Sequence, residues 1–115
     1  MSTKKRKVLA VIRIGSQDAT RSRINEAAKN VIAVIDRLSE KENQLAFTTK
    51  DGDSFGILMK TDVPLRVLRE ELCGTSKSSA QGSPLLNNDS CLLLEIGEEF
   101  DGRGFSRAWT WLQHH

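Results

Sequence analysis

Tyrosine is absent from this chain, and aromatic residues make up only 5% of it. The apolar segment at residues 8–14 has no ring at all, and binding of single-stranded nucleic acid by base stacking needs rings. Histidine occurs only at positions 114 and 115. A Ser-His or Cys-His nucleophile would have to draw its base from the last residues of the chain, which argues against hydrolases of those kinds. The two cysteines, Cys73 and Cys91, form no CxxC pair, so a thiolate metal site lacks ligands at the required spacing. They are expected as small buried hydrophobes, unbridged in a reducing compartment. No apolar run approaches the roughly 20 residues of a membrane span, and residues 8–14 are too short and too β-branched for a signal peptide. The expectation is a cytoplasmic protein that makes no membrane contact. No GxGxxG or GKS/T phosphate loop occurs, and no cofactor or metal site is expected.

An excess of positive charge is also lacking outside one cluster. The chain has 115 residues and a net charge of +2. Lys4, Lys5, Arg6 and Lys7 carry four of its positive charges, so the remainder is slightly acidic, which argues against a broad phosphate-binding face. Residues 1–7 are expected to be a disordered basic tail, and residues 8–115 a single domain of ordinary size.

What is present reads as alternating α and β structure. Residues 8–14 (VLAVIRI) are nearly all apolar and β-branched, which predicts a strand covered on both faces and central in its sheet. Asp18 is a candidate N-cap for a helix at 19–39, where Ile24, Ala27, Val31, Ile35 and Leu38 line one face. Residues 44–50 and 54–61 read as strands joined by Asp51-Gly52, a favoured hairpin turn. Alternation places Leu45 and Phe47 together on one side of the first of these strands. Pro64 suits the first turn of a second helix, with Leu65, Val67, Leu68 and Leu72 as its stripe and Gly74 as its end. Residues 74–89, rich in Ser, Gly and Asn, form a long connection. A strand at 91–96 and a closing helix at 105–114 complete the series, the helix carrying Phe105, Ala108, Trp109 and Leu112 at helical spacing, with Trp111 on another side.

The order β-α-β-β-α-β predicts an α+β domain. The expected fold is ferredoxin-like: a four-stranded antiparallel sheet in the order 4-1-3-2, two helices on one face and an added C-terminal helix. Such a motif leaves its second sheet face without helices. The strands nevertheless offer apolar residues there, expected to be Leu9, Val11, Leu58 and Leu93, and a monomer rarely exposes such a patch. Phe105, Trp109 and Leu112 of the last helix, or a second copy of the chain, are the candidates to cover it.

Two likenesses bear on nucleic acid. Residues 53–60 (DSFGILMK) resemble the strand-3 signature of the RNA-recognition domain through Phe55-Gly56. They depart from it at Asp53, Ser54, Ile57 and Lys60, which replace its basic, glycine and aromatic positions. The element order is similar to that of the small CRISPR adaptation nucleases, which implies a dimer with an acidic residue after the first strand; Asp18 is the nearest candidate, and a pair of them would have to converge on a metal ion. Arg21 and Arg23, at the start of the long helix, are candidate contacts for an anion or nucleic acid. The acidic run Glu95, Glu98, Glu99 and Asp101 matches no calcium loop and reads as a solvated turn. The reading favoured by these residues is a non-enzymatic binding or regulatory module, a homodimer acting through a protein partner or small ligand. Its alternative is a nucleic-acid binder or weak metal-dependent nuclease.

Overall fold

The computed structural model describes residues 5–15, 21–74, 84–85, 89–97 and 106–114. The described residues form an α+β arrangement with one four-stranded, fully antiparallel sheet and three helices. Strand β1 (Arg6–Arg13) leads to helix α1 (Arg21–Ser39). Strands β2 (Asn43–Thr48) and β3 (Ser54–Thr61) form a hairpin. Helix α2 (Leu65–Cys73), strand β4 (Ser90–Ile96) and helix α3 (Ser106–His114) follow. The strands lie in the order β2-β3-β1-β4, so β1 is central and β2 and β4 are the edges.

The apolar run in β1 is buried on the side that faces α1 and α2. Val8, Ala10, Ile12 and Ile14 are all 0% exposed. They meet Ala27, Val31 and Ile35 of α1, Leu68 and Leu72 of α2, and Phe55, Ile57 and Met59 of β3. These residues make the main core, and period-2 alternation explains why every second residue of β1 and β3 enters it. Helix α1 packs over β2 and β3, and α2 over β4. Between the helices, Arg37 donates to Glu71 at 2.8 Å.

Local hydrogen bonds fix the ends of the elements. Thr61 Oγ1 donates to the carbonyl of Leu38 at 2.8 Å and accepts from the N–H of Val63 at 3.1 Å, turning the chain from β3 into α2. Pro64 occupies the N-cap of α2, where it makes no side-chain capping bond. Gly74, at φ 79°, ends the helix and donates its N–H to the carbonyl of Glu70. Helix α1 ends differently, on two left-handed non-glycine residues, Glu40 and Lys41. The Lys41 N–H reaches the carbonyl of Asp36 there. Asn43 Nδ2 donates to both Asp36 Oδ1 and Ser39 Oγ, tying the helix end to the start of β2.

The folded body begins earlier than residue 8. Arg6 and Lys7 belong to β1. Arg6 pairs with Glu95 at 3.0 Å and donates to the carbonyl of Val63. Lys5 lies 3.8 Å from Glu40 and 3.5 Å from Glu42. The cationic end of the chain is therefore drawn into the sheet by carboxylates on its neighbours, and only residues 1–4 of the expected tail lie outside the described residues.

Strand β2 departs from simple alternation. Leu45 is opposite Ile57, but Phe47, not Ala46, is opposite Gly56, with a register shift between Leu45 and Phe47. This bulge places Phe47 on the sheet face opposite that of Leu45, correcting the expectation that the two share a side. Gly56 is what accommodates the ring: a Cβ at position 56 would lie 2.7 Å from Cδ1 of Phe47 and closer still to Cε1. Gly56→Ala is expected to cost about 1–3 kcal/mol by displacing that ring, read as a lower melting temperature. Phe47→Leu in the same chain should recover at least half of the loss; no loss, or no recovery, would refute the packing account.

Candidate functional site

The second sheet face is where the expected surface is found, with changes in membership. Cross-strand partners point to the same side. Leu9 pairs with Leu58 and Leu94, and Val11 with Gly56 and Leu92. The face therefore carries Leu9, Val11, Leu58, Leu92, Leu94 and Ile96. Leu93 is not part of it. Leu93 pairs with Ala10 and packs with Cys91 against the main core beneath α2. Both alternating sets of β4 are apolar, so only the pairing register decides which one meets the helices.

Helix α3 covers part of this face. Leu58, Ala108 and Trp111 form a small second core, with Leu9, Ala46, Ile96 and Leu112 packed against it. Trp111 is 7% exposed. It anchors α3 on the sheet, which overturns the expectation that Trp111 points elsewhere. Ala108, Trp111 and Leu112 follow i, i+3, i+4 spacing as well as Phe105, Ala108, Trp109 and Leu112 do, so spacing alone did not separate the two stripes. Leu112 joins the cluster as expected, whereas Phe105 and the side chain of Trp109 lie outside the described residues.

Helix α3 packs on β2, toward one edge of the sheet. The other edge remains open. Leu92 is 56% exposed and Leu94 45%, and Val11 between them and the covered region is half-buried. Among the described residues β4 pairs with β1 alone, leaving its outer backbone edge without a strand partner.

At the start of α1 the two candidate arginines have different surroundings. Arg21 is exposed. Arg23 donates to Asp89 Oδ2 at 2.8 Å, and the second oxygen of that carboxylate accepts from the N–H of Gly15 at 3.1 Å. The Asp89 side chain is 0% exposed and that of Arg23 30%. The anion that Arg23 meets is thus supplied by the chain itself, one residue before β4. An open cleft of about 230 Å3 lies beside this pair, lined by Arg23, Glu26, Ala27, Asn30 and Pro84. Asp18, the candidate N-cap and metal ligand, lies outside the described residues. Among the described residues no three His, Cys, Asp or Glu side chains gather as a metal site would require, and no helix is long and apolar enough to cross a membrane.

Asp89 carries no signal in the sequence, and the two cysteines, expected as small buried hydrophobes, are both of intermediate exposure. Cys73, at the end of α2, and Cys91, in β4, both pack against the main core. The Cys91 side chain, with smaller help from the Arg69 guanidinium, brings the Cys73 thiol down to about 7 against the opposing effect of burial. The Cys73 side chain and burial push the Cys91 thiol up.

Comparison of the chain with family models, with curated proteins and with solved structures returned no match.

Proposed function

We propose that the protein is a non-enzymatic binding or regulatory module that works as a homodimer, with the ferredoxin-like arrangement as its scaffold. The strand order and antiparallel pairings support that scaffold, and right-handed crossovers would put α1 and α2 on one face. The observation that carries the dimer is the pair Leu92 and Leu94, exposed on a strand whose outer side has no partner among the described residues. Long apolar edge strands invite pairing unless something blunts them. A second copy is a fitting occupant because β4 is self-complementary about Leu93. Antiparallel pairing centred there sets Leu92 of each copy against Leu94 of the other, a closed two-fold contact. Ionic pairing of Lys5 and Arg6 with Glu40, Glu42 and Glu95 supports this reading over nucleic-acid binding, since those cations already have carboxylate partners.

Sedimentation equilibrium tests the proposal. The wild-type chain is expected at twice the single-chain mass. Leu92→Glu together with Leu94→Glu, which sets like charges opposite each other across the seam, should raise the dimer dissociation constant at least about a hundredfold, as loss of interface anchors does, while leaving the circular dichroism spectrum unchanged, because both side chains are already exposed in the single chain. A wild-type mass of one chain at the highest soluble concentration would sink the proposal.

A further inference from the structure

The second sheet face has a charge pattern of one sign. The charged residues that β1, β3 and β4 turn toward it are Lys7, Arg13 and Lys60, all cations. Glu95 lies on the other side, because it pairs with Val8 of the main core. Arg13 is exposed. It pairs with Ser90, one step along the strands from the pair Val11 and Leu92. The open apolar strip Val11, Leu92 and Leu94 therefore ends at a guanidinium.

In the dimer proposed above, on which this inference rests, Leu92 of each copy stands beside Leu94 of the other and the two strips become one. The joined strip runs diagonally across the two-fold axis, with Val11, Leu92 and Leu94 of both copies as its floor and an Arg13 at each end. Three strand spacings across the sheet and six residues along it separate the two arginines, roughly 25 Å on the diagonal. In each copy α3 packs on β2 and covers Leu58 and its neighbours Leu9 and Ile96. The two α3 helices thus stand on either side of the strip. The β3 strands beneath them would lie five spacings apart, roughly 24 Å. Subtracting one helix diameter of about 10–12 Å leaves a trough at least roughly 12 Å wide.

We propose that the dimer binds one amphipathic helix of a partner protein in this trough. The apolar stripe of that helix lies on Val11, Leu92 and Leu94 of both copies, and acidic residues at its two ends meet the two Arg13 guanidinium groups. Width and charge both select this occupant. A helix laid in an apolar groove fills it with one stripe of side chains, and one helix is as wide as the trough. At 1.5 Å per residue, roughly 17 residues of helix span the distance between the arginines. A single acyl chain is too thin to cover the floor, so most of the apolar area would stay in water. The cations at both ends favour carboxylates and repel a basic helix.

The test titrates the full chain with a synthetic helical peptide of roughly 17 residues. It carries leucine at positions three and four apart, glutamate in its first and last turns, and alanine and glutamine elsewhere. Calorimetry should give one peptide per two chains, with a dissociation constant below about 100 μM. Sedimentation should find the complex at the mass of two chains and one peptide. The same peptide with lysine in place of glutamate should bind at least about tenfold more weakly, and Arg13→Glu should reverse that preference. A dimer that takes up neither peptide, or binds both equally, would overturn the trough and leave the dimer standing. So would tighter binding of oleate or of phosphatidylglycerol vesicles than of the glutamate peptide, or an unchanged preference in Arg13→Glu. One peptide per chain would overturn the shared trough, and a wild-type mass of one chain would overturn the trough and the dimer together.

Discussion

Trp111→Ala is expected to be the most damaging single change in this protein, costing about 3–5 kcal/mol, the usual range for truncating a buried tryptophan. Trp111 is 7% exposed and forms the centre of the second core with Leu58 and Ala108. Its removal takes from α3 the largest of its described contacts with the sheet. A nine-residue helix has little stability of its own in water, so α3 should come away. Leu58, only 2% exposed while α3 is docked, and the neighbouring Leu9 and Ala46 would then face solvent. The melting temperature should fall on the order of 10 °C, with a gain in dye binding that reports exposed apolar surface. Substitution at Gln113, exposed on the same helix, should leave both readouts unchanged. A loss below about 1 kcal/mol at Trp111 would mean that the sheet does not depend on α3 for its cover.

Asp89→Ala should cost about 2–4 kcal/mol, the scale for breaking a mostly buried ion pair from one side. The change strands two donors at once: the guanidinium of Arg23, whose side chain is 30% exposed, and the N–H of Gly15. Urea denaturation of the variant, of Arg23→Ala and of the double variant measures this directly. The double variant should be less destabilised than the sum of the singles by at least about 1 kcal/mol. Asp89→Asn keeps an acceptor for Gly15 but not the charge, and should recover only part of the loss. Strict additivity would show that the pair does not act as a unit.

Much of the scaffold was readable because it is repetitive. The alternation and density of apolar residues in β1 foretold a central strand, and the stripe Ala27, Val31, Ile35 foretold the buried face of α1. Asp51-Gly52 and Gly74 marked a turn and a helix end because glycine accepts positive φ, and both glycines have it here. These are local properties, decided by sterics and period within a few residues.

The contents of the two surfaces were not readable in that way. The apolar second face was foreseen, but Leu93 was placed on it in error, because β4 is apolar at both alternations and only its register with β1 separates Leu93 from Leu92 and Leu94. Phe47 changed sides because a bulge interrupts β2 at Ala46, and Gly56, the residue that makes room, belongs to the other strand. Trp111, expected on another side of the last helix, proved to be buried against the sheet, because the stripe Ala108, Trp111 and Leu112 has helical spacing too. Arg23 looked like a site for a foreign anion, and its partner proved to be Asp89, 66 positions away. The amino-acid order by itself determined which segments are strands and helices and that the sheet has two apolar sides, since both follow from periodicity. Which leucines remain in water, that Trp111 is buried, and which anion meets Arg23 were decided only by tertiary structure, because those outcomes depend on register and on contacts between residues far apart in the chain.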